Sequence, residues 1–199
     1  MSDLKFNPAD PRLLQEKLFW IDMEMTGLDV ETEVVIEVAA IITDLSFNIL
    51  DTYEAVVKQD QKYLDAMDEW NQTHHSQSGL LKKIPSGLEP HVVEYQLMDL
   101  VRKHFPNSKD RPILAGNSIA QDRLFIEKYF ENFAGMLHYR MLDVSSWKII
   151  FQKRYQYAVE KANSHRALDD IKESIEELKT YLRFLNESEI PPTLIINRK

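Results

Sequence analysis

Read for hydrophobic and polar positions, the chain divides into three strand-like segments and then an alternation of helices and short strands. Residues 18–25, 33–43 and 47–57 are rich in Val, Ile and aromatics, and the turn-forming stretches TGLDVET and DLSFN separate them, as expected of an antiparallel meander. From Lys62 the spacing of Leu64, Met67, Asp68 and Trp70 is helical. A polar loop, NQTHHSQSG, follows, and then Leu80, Leu81 and Ile84 before Pro85. Residues 89–105 predict a longer amphipathic helix with the stripe Val92, Val93, Gln96, Leu97, Leu100 and Val101. RPILAGN reads as a short buried strand, QDRLFIEKYFENF as a helix, HYRMLDV as a strand and SSWKIIFQKRY as a helix. The last helix runs from about 165 to about 186 along Leu168, Ile171, Ile175, Leu178 and Leu182. Strands followed by alternating helix and strand predict an α/β domain with a mixed central sheet.

Composition narrows the picture. A chain of 199 residues that is 44% hydrophobic can bury one core, so residues 1–199 are expected to form a single domain with an arm at 1–17 and a tail at 188–199. There is no apolar run of membrane-spanning length, and MSDLKFNPADPRLLQEK resembles neither a signal peptide nor a transit peptide, so a cytoplasmic protein without membrane association is expected. Without cysteine, any metal must be held by carboxylate or imidazole, which favours hard ions such as magnesium or manganese. A formal charge of −8 argues against coating long nucleic acid, although a short anionic substrate met by bound cations remains compatible.

Acids at three places along the chain break the apolar pattern. Asp22 and Glu24 lie two apart in the first strand and therefore project from one face; they either sit at a solvated strand end or share a cation. Asp122 falls on the buried stripe of its helix with Phe125, Ile126, Tyr129 and Phe133, where helix capping is the alternative explanation. In NSHRALDDIKESIEEL, Asn163 or Ser164 can cap a helix on which Asp170 shares a stripe with Ala167 and Ser174, while Asp169 turns about 100° away. His165 stands at the mouth of that helix.

Taken together, WIDMEMTGLD, GNSIAQDRLFI and HRALDDIKESIEEL resemble the three motifs of the DEDDh 3′ to 5′ exonucleases, and within them the oligoribonuclease family; EWNQTHHSQSGL and HYRMLDVSSWK extend the resemblance over nearly the whole chain. The resemblance implies a ribonuclease H-like fold. It implies that Asp22, Glu24, Asp122 and Asp170 hold two divalent cations, Mg2+ or Mn2+, and that His165 is the base taking a proton from the attacking water. It further implies that Trp70 stacks on a base, that Leu28 wedges between two bases, and that His75 lies near the scissile phosphate, with His74 the competing match one residue away. Ser118, Arg140 and Ser145 would cap a 5′ phosphate, and Tyr139 would reach in from the second subunit of a homodimer. The spacing between Tyr155 and His165 is where the chain departs from the family pattern.

The expected function is hydrolysis of very short RNA, down to dinucleotides, to nucleoside 5′-monophosphates. The competing readings are a proofreading or repair exonuclease acting on longer single-stranded DNA, which the acidic charge and the capping set disfavour, and a binding module without catalysis, which the intact acids disfavour.

Overall fold

The computed structural model describes residues 15–107, 109–159 and 166–184. Five strands, β1 (Lys17–Met25), β2 (Val35–Asp44), β3 (Ile49–Val56), β4 (Leu114–Gly116) and β5 (Met141–Asp143), form one sheet in the order β3-β2-β1-β4-β5. β1 to β3 make the predicted antiparallel meander, and β4 joins β1 in parallel, with β5 parallel to β4, so the sheet is mixed. The helices are α1 (Gln61–Ala66), α2 (Glu69–Gln77), α3 (Pro90–His104), α4 (Ile119–Tyr129), α5 (Glu131–Met136), α6 (Val144–Tyr155) and α7 (Ala167–Arg183), with a short 3-10 turn at Ile84–Ser86.

Alternation along β1 sends side chains to two cores. Phe19, Ile21, Met23 and Met25 pack with Val93, Leu97, Phe125 and Phe133, on the side of α3, α4 and α5. Leu18 and Trp20 pack with Phe151, Ala167, Ile171 and Tyr181, on the side of α6 and α7. β2 is buried at every position, as befits a strand covered on both faces. Gly116 closes β4 tightly: a Cβ there would stand 2.9 Å from the Ile21 carbonyl oxygen, one residue from Asp22.

Several predicted boundaries move. NQTHHSQSG is not a loop but most of α2: Asp68 caps the helix by accepting from the Asn71 amide, His75 is buried, and only at Gly79, with φ of 74°, does the chain turn away. QDRLFIEKYFENF is two helices, α4 starting earlier at Ile119 and the break falling at Phe130, whose φ of −134° lets both Phe130 and Phe133 enter the core. HYRMLDV shortens to β5, because the His138 amide donates to the Pro112 carbonyl and the Arg140 amide to His138 Nδ1, which takes both out of strand pairing. α6 begins one residue early, at Val144, since Asp143 is its cap. α7 begins at Ala167 rather than near 165, and its cap residue is Arg166; Asn163 and Ser164, the expected caps, lie outside the described residues. β1 takes in Lys17 from the expected arm, and the expected tail lies outside the described residues.

Where α3 meets β3, Asp51 accepts from Lys103 Nζ and pairs with His104 Nε2, both at 2.7 Å. These bonds, Lys103 first, lower its carboxyl to about 2. A lowered carboxylate stabilises the fold above its unfolded pKa of about 3.9 and loses that contribution as pH falls toward 2. Asp51→Asn is therefore expected to reduce stability at pH 5 by about 1 kcal/mol or less, and the difference to narrow by pH 2.5. Urea unfolding at the two pH values measures it.

Candidate active site

The face of β1 that starts with Leu18 and Trp20 under α7 ends with Asp22 and Glu24, so the two acids continue a buried row beyond the last β1 residue paired with β4, while β2 still pairs alongside. α7 brings the third. Its buried face includes Ala167, Ile171 and Ser174, which sets Asp170 half-buried above β1 and leaves Asp169 exposed. One carboxylate oxygen from each of Asp22, Glu24 and Asp170 lies within 4.8 Å of the others. A hard divalent cation sits about 2.0 to 2.6 Å from its oxygen ligands, so one such ion fits between oxygens at this separation.

Asp122 is 5% exposed in the first turn of α4, and its Oδ1 accepts from the Met23 amide at 3.0 Å, between the two acids of β1. Capping is thus not its whole role; it bonds to the strand that carries the others. Burial, followed by the charges of Asp122, Glu24, Asp170 and Glu37, holds the Asp22 carboxyl well above its ordinary value. Burial and then the charge of Asp170 push Glu24 up to about 7, with Arg166 pulling the other way. Asp122 is pushed up to about 8, again mainly by burial and against the backbone N–H groups that favour its charged form. Acids crowded in this way are compensated by a cation.

The two consecutive histidines of α2 face different ways, about 100° apart around the helix. His75 is buried with Nε2 3.0 Å from the Met25 carbonyl oxygen, so Nε2 carries the proton, and Nδ1 is 4.0 Å from Glu24 Oε2. His74 instead accepts no place in the core: its ring stacks on Trp70 at 3.8 Å and its Nδ1 meets the Trp70 carbonyl oxygen at 2.7 Å. Trp70 is 58% exposed and therefore no core aromatic, and Leu28 is 74% exposed on a loop that Gln121 Nε2 ties to α4 through the Leu28 carbonyl. His165 lies outside the described residues.

At the other end, Ser118 and Ser145 are paired, Oγ to Oγ at 3.2 Å, and the Ser118 amide donates to Ser145 Oγ and to Asp143 Oδ1. The expected third member, Arg140, lies before β5 with its guanidinium over the exposed Tyr139 ring, 5.4 Å from the centroid.

Residues 19–178 match the family model described as Exonuclease, RNase_T. The chain is 41% identical to "Oligoribonuclease, mitochondrial" of Homo sapiens over 174 residues, 84% of this chain and 73% of the relative. It is 43% identical to an oligoribonuclease of Francisella tularensis subsp. tularensis over 169 residues, 83% of this chain and 94% of the relative. The chain belongs to the RNase_T exonuclease family, in its oligoribonuclease branch. Among solved structures it is similar to Escherichia coli exonuclease I in complex with a dA16 oligonucleotide, with a TM-score of 0.64 at 14% identity over 90% of this chain. A thermophilic exonuclease I from Methylocaldum szegediense gives 0.60 at 14% over 87%. That likeness is one of fold, the ribonuclease H-like one expected, and the chain spans 42% and 41% of those two chains.

Within this RNase_T exonuclease the structure also brings in residues that the sequence reading passed over. Glu37 of β2 is fully buried opposite Glu24 in the strand register, and it accepts from Arg166 Nη2 at 2.8 Å, from Arg166 Nε at 3.1 Å and from the Ala167 amide at 3.2 Å. A carboxylate from another strand thus serves the N-terminus of α7, where the helix dipole favours negative charge. The signal was available in VVIEVAAIIT, one acid in an apolar run, the same anomaly that singled out Asp22. Asn117, whose side-chain amide donates to Ser174 and Glu177 of α7, gave no such signal, and neither did Glu177, since polar residues beside a turn or within an amphipathic helix are ordinary.

Proposed function

We propose that this exonuclease removes nucleoside 5′-monophosphates from the 3′ ends of very short RNA, dinucleotides included, with Asp22, Glu24, Asp122 and Asp170 holding two divalent cations, Mg2+ or Mn2+. The observation that carries this is the convergence of three carboxylates from β1 and α7 within 4.8 Å, with Asp122 bonded to the same strand. Bound there, divalent cations stabilise the attacking and leaving oxygens of a phosphodiester displacement. His165 is assigned the base on its motif, and a neutral imidazole suits that task near neutral pH; a pH-rate profile that stays flat on the acid side would remove it from the role.

The chain's own residues position the substrate. The exposed Trp70, braced by His74, offers a flat face to a base of any identity, and Leu28 offers an apolar wedge. His75, held by the Met25 carbonyl and 4.0 Å from Glu24, is assigned to the neighbourhood of the reacting phosphate on its motif. The hydroxyls of Ser118 and Ser145 and the guanidinium of Arg140 receive the 5′ phosphate. Tyr139, 74% exposed just before the edge strand β5, would complete the site of a second copy in a homodimer; sedimentation of a fully active monomer would remove that part.

No helix among the described residues is long and apolar enough to cross a membrane. A cytoplasmic location is proposed; the human relative is named mitochondrial, and cell fractionation separates the two.

Labelled dinucleotide and seven-nucleotide RNA, incubated side by side with magnesium, manganese or chelator, test the reading. The dinucleotide is expected to be consumed faster in either metal and not in chelator. Metal-independent turnover, or faster consumption of the seven-nucleotide RNA, would overturn it.

A further inference from the structure

We infer that Asn117 is a positioning residue that couples the Ser118 and Ser145 pair to α7, the helix bearing Asp170. The inference rests on the reading of that pair as a 5′-phosphate holder. Asn117 spends its side-chain amide in three directions. Its Nδ2 donates to Ser174 Oγ at 2.7 Å and to Glu177 Oε2 at 3.1 Å, and its Oδ1 accepts from Ser145 Oγ at 3.2 Å.

Both anchors on α7 are themselves fixed. Ser174 spends its one hydrogen on the Asp170 carbonyl at 2.8 Å, so towards Asn117 it only accepts. Glu177 is fully buried, and its other oxygen accepts from Tyr181 Oη at 2.7 Å. A continuous run of hydrogen bonds therefore leads from Tyr181 through Glu177 and Asn117 to Ser145 and Ser118, with a branch to the backbone of Asp170.

The donor count has a chemical consequence. With the Ser145 hydrogen directed to Asn117, Ser145 Oγ can only accept from the Ser118 amide and hydroxyl, at 2.8 and 3.2 Å. The Ser118 hydroxyl hydrogen is then the one of the pair able to swing to an incoming anion. Ser118 also sits at φ 51°, ψ 32°, a left-handed conformation unfavourable for serine, and holds it through the bonds of its amide to Asp143 and Ser145. Loosening Asn117 frees Ser145, and Ser145 is one of the two groups holding Ser118 in place.

The test compares kcat and KM for a dinucleotide with and without its 5′ phosphate, in the full-length chain with magnesium. The parent is expected to favour the phosphorylated form. In Asn117→Ala that advantage is expected to fall about tenfold, through KM, while kcat on the unphosphorylated dinucleotide stays within about twofold. An unchanged advantage, or an equal loss on both substrates, overturns the inference. A parent showing no advantage overturns the phosphate-holder reading itself, a separate result. If near-UV circular dichroism shows that Asn117→Ala does not fold, Ser174→Ala removes one anchor alone and is expected to lower the advantage at least threefold; no change there overturns the inference equally.

Discussion

Asp22→Ala is expected to abolish turnover, by about a thousandfold or more, in a protein that remains folded and whose thermal midpoint in chelator is no lower than that of the parent. The loss of rate is expected from the position of Asp22 within the carboxylate trio and among the charges of its neighbours, where it would be a ligand to a cation held there. Each 1.36 kcal/mol of lost transition-state stabilisation is about tenfold in rate, and a lost metal ligand removes several kcal/mol. Stability moves the other way because Asp22 is buried among like charges. Glu24 pushed up to about 7 and Asp122 to about 8 mean that the folded protein binds more protons than the unfolded chain in that range. The chelated parent should therefore lose stability as pH rises from about 5 to about 8, and the variant should lose less, having one repelling charge fewer. Thermal unfolding across that range, beside a turnover assay, measures both. Near-normal turnover by folded Asp22→Ala would end the metal-site reading.

The second large effect belongs to Arg166→Ala. Glu37 is fully buried and Arg166 is its charge partner, through two nitrogens, while the same guanidinium reaches Glu54 at 2.6 Å. Removing one member of a buried pair leaves an uncompensated charge, at a cost of about 3 to 5 kcal/mol. For a chain of this size that is roughly 6 to 20 °C in thermal midpoint. Adding Glu37→Gln should recover much of the loss, since glutamine keeps an oxygen for the Ala167 amide without the charge. Arg166→Lys should recover little, because an ammonium cannot match the fork. If Arg166→Ala costs under about 1 kcal/mol, the pair does not hold the start of α7.

Much of this was legible in the chain itself. Val, Ile and aromatic enrichment between turn-forming stretches found the meander, the two-residue period put Asp22 and Glu24 on one face, and helical spacing told Asp170 from Asp169. What could not be read lay in contacts between distant residues. α2 was hidden because its stability comes from the Asp68 cap and from His75 packing against β1 rather than from an apolar stripe. The same contact buries His75 and leaves its neighbour His74 outside the core, a difference that adjacency in the sequence does not display. The start of α7 depends on Glu37, 130 residues away from the amide it accepts. Asn117 acquires partners only when β4, α6 and α7 meet.

The claim that this exonuclease acts on very short RNA is tested most directly by dissociation constants, with turnover disabled by Asp22→Ala, for two-nucleotide and seven-nucleotide RNAs each with and without a 5′ phosphate. If Ser118, Ser145 and Arg140 receive that phosphate while the only phosphodiester lies over the acids, the phosphorylated dinucleotide should bind about tenfold to a hundredfold more tightly than the other three, as the loss of a charged hydrogen bond of about 1.5 to 3 kcal/mol requires. Equal affinity across all four would contradict the account and favour an exonuclease of longer strands.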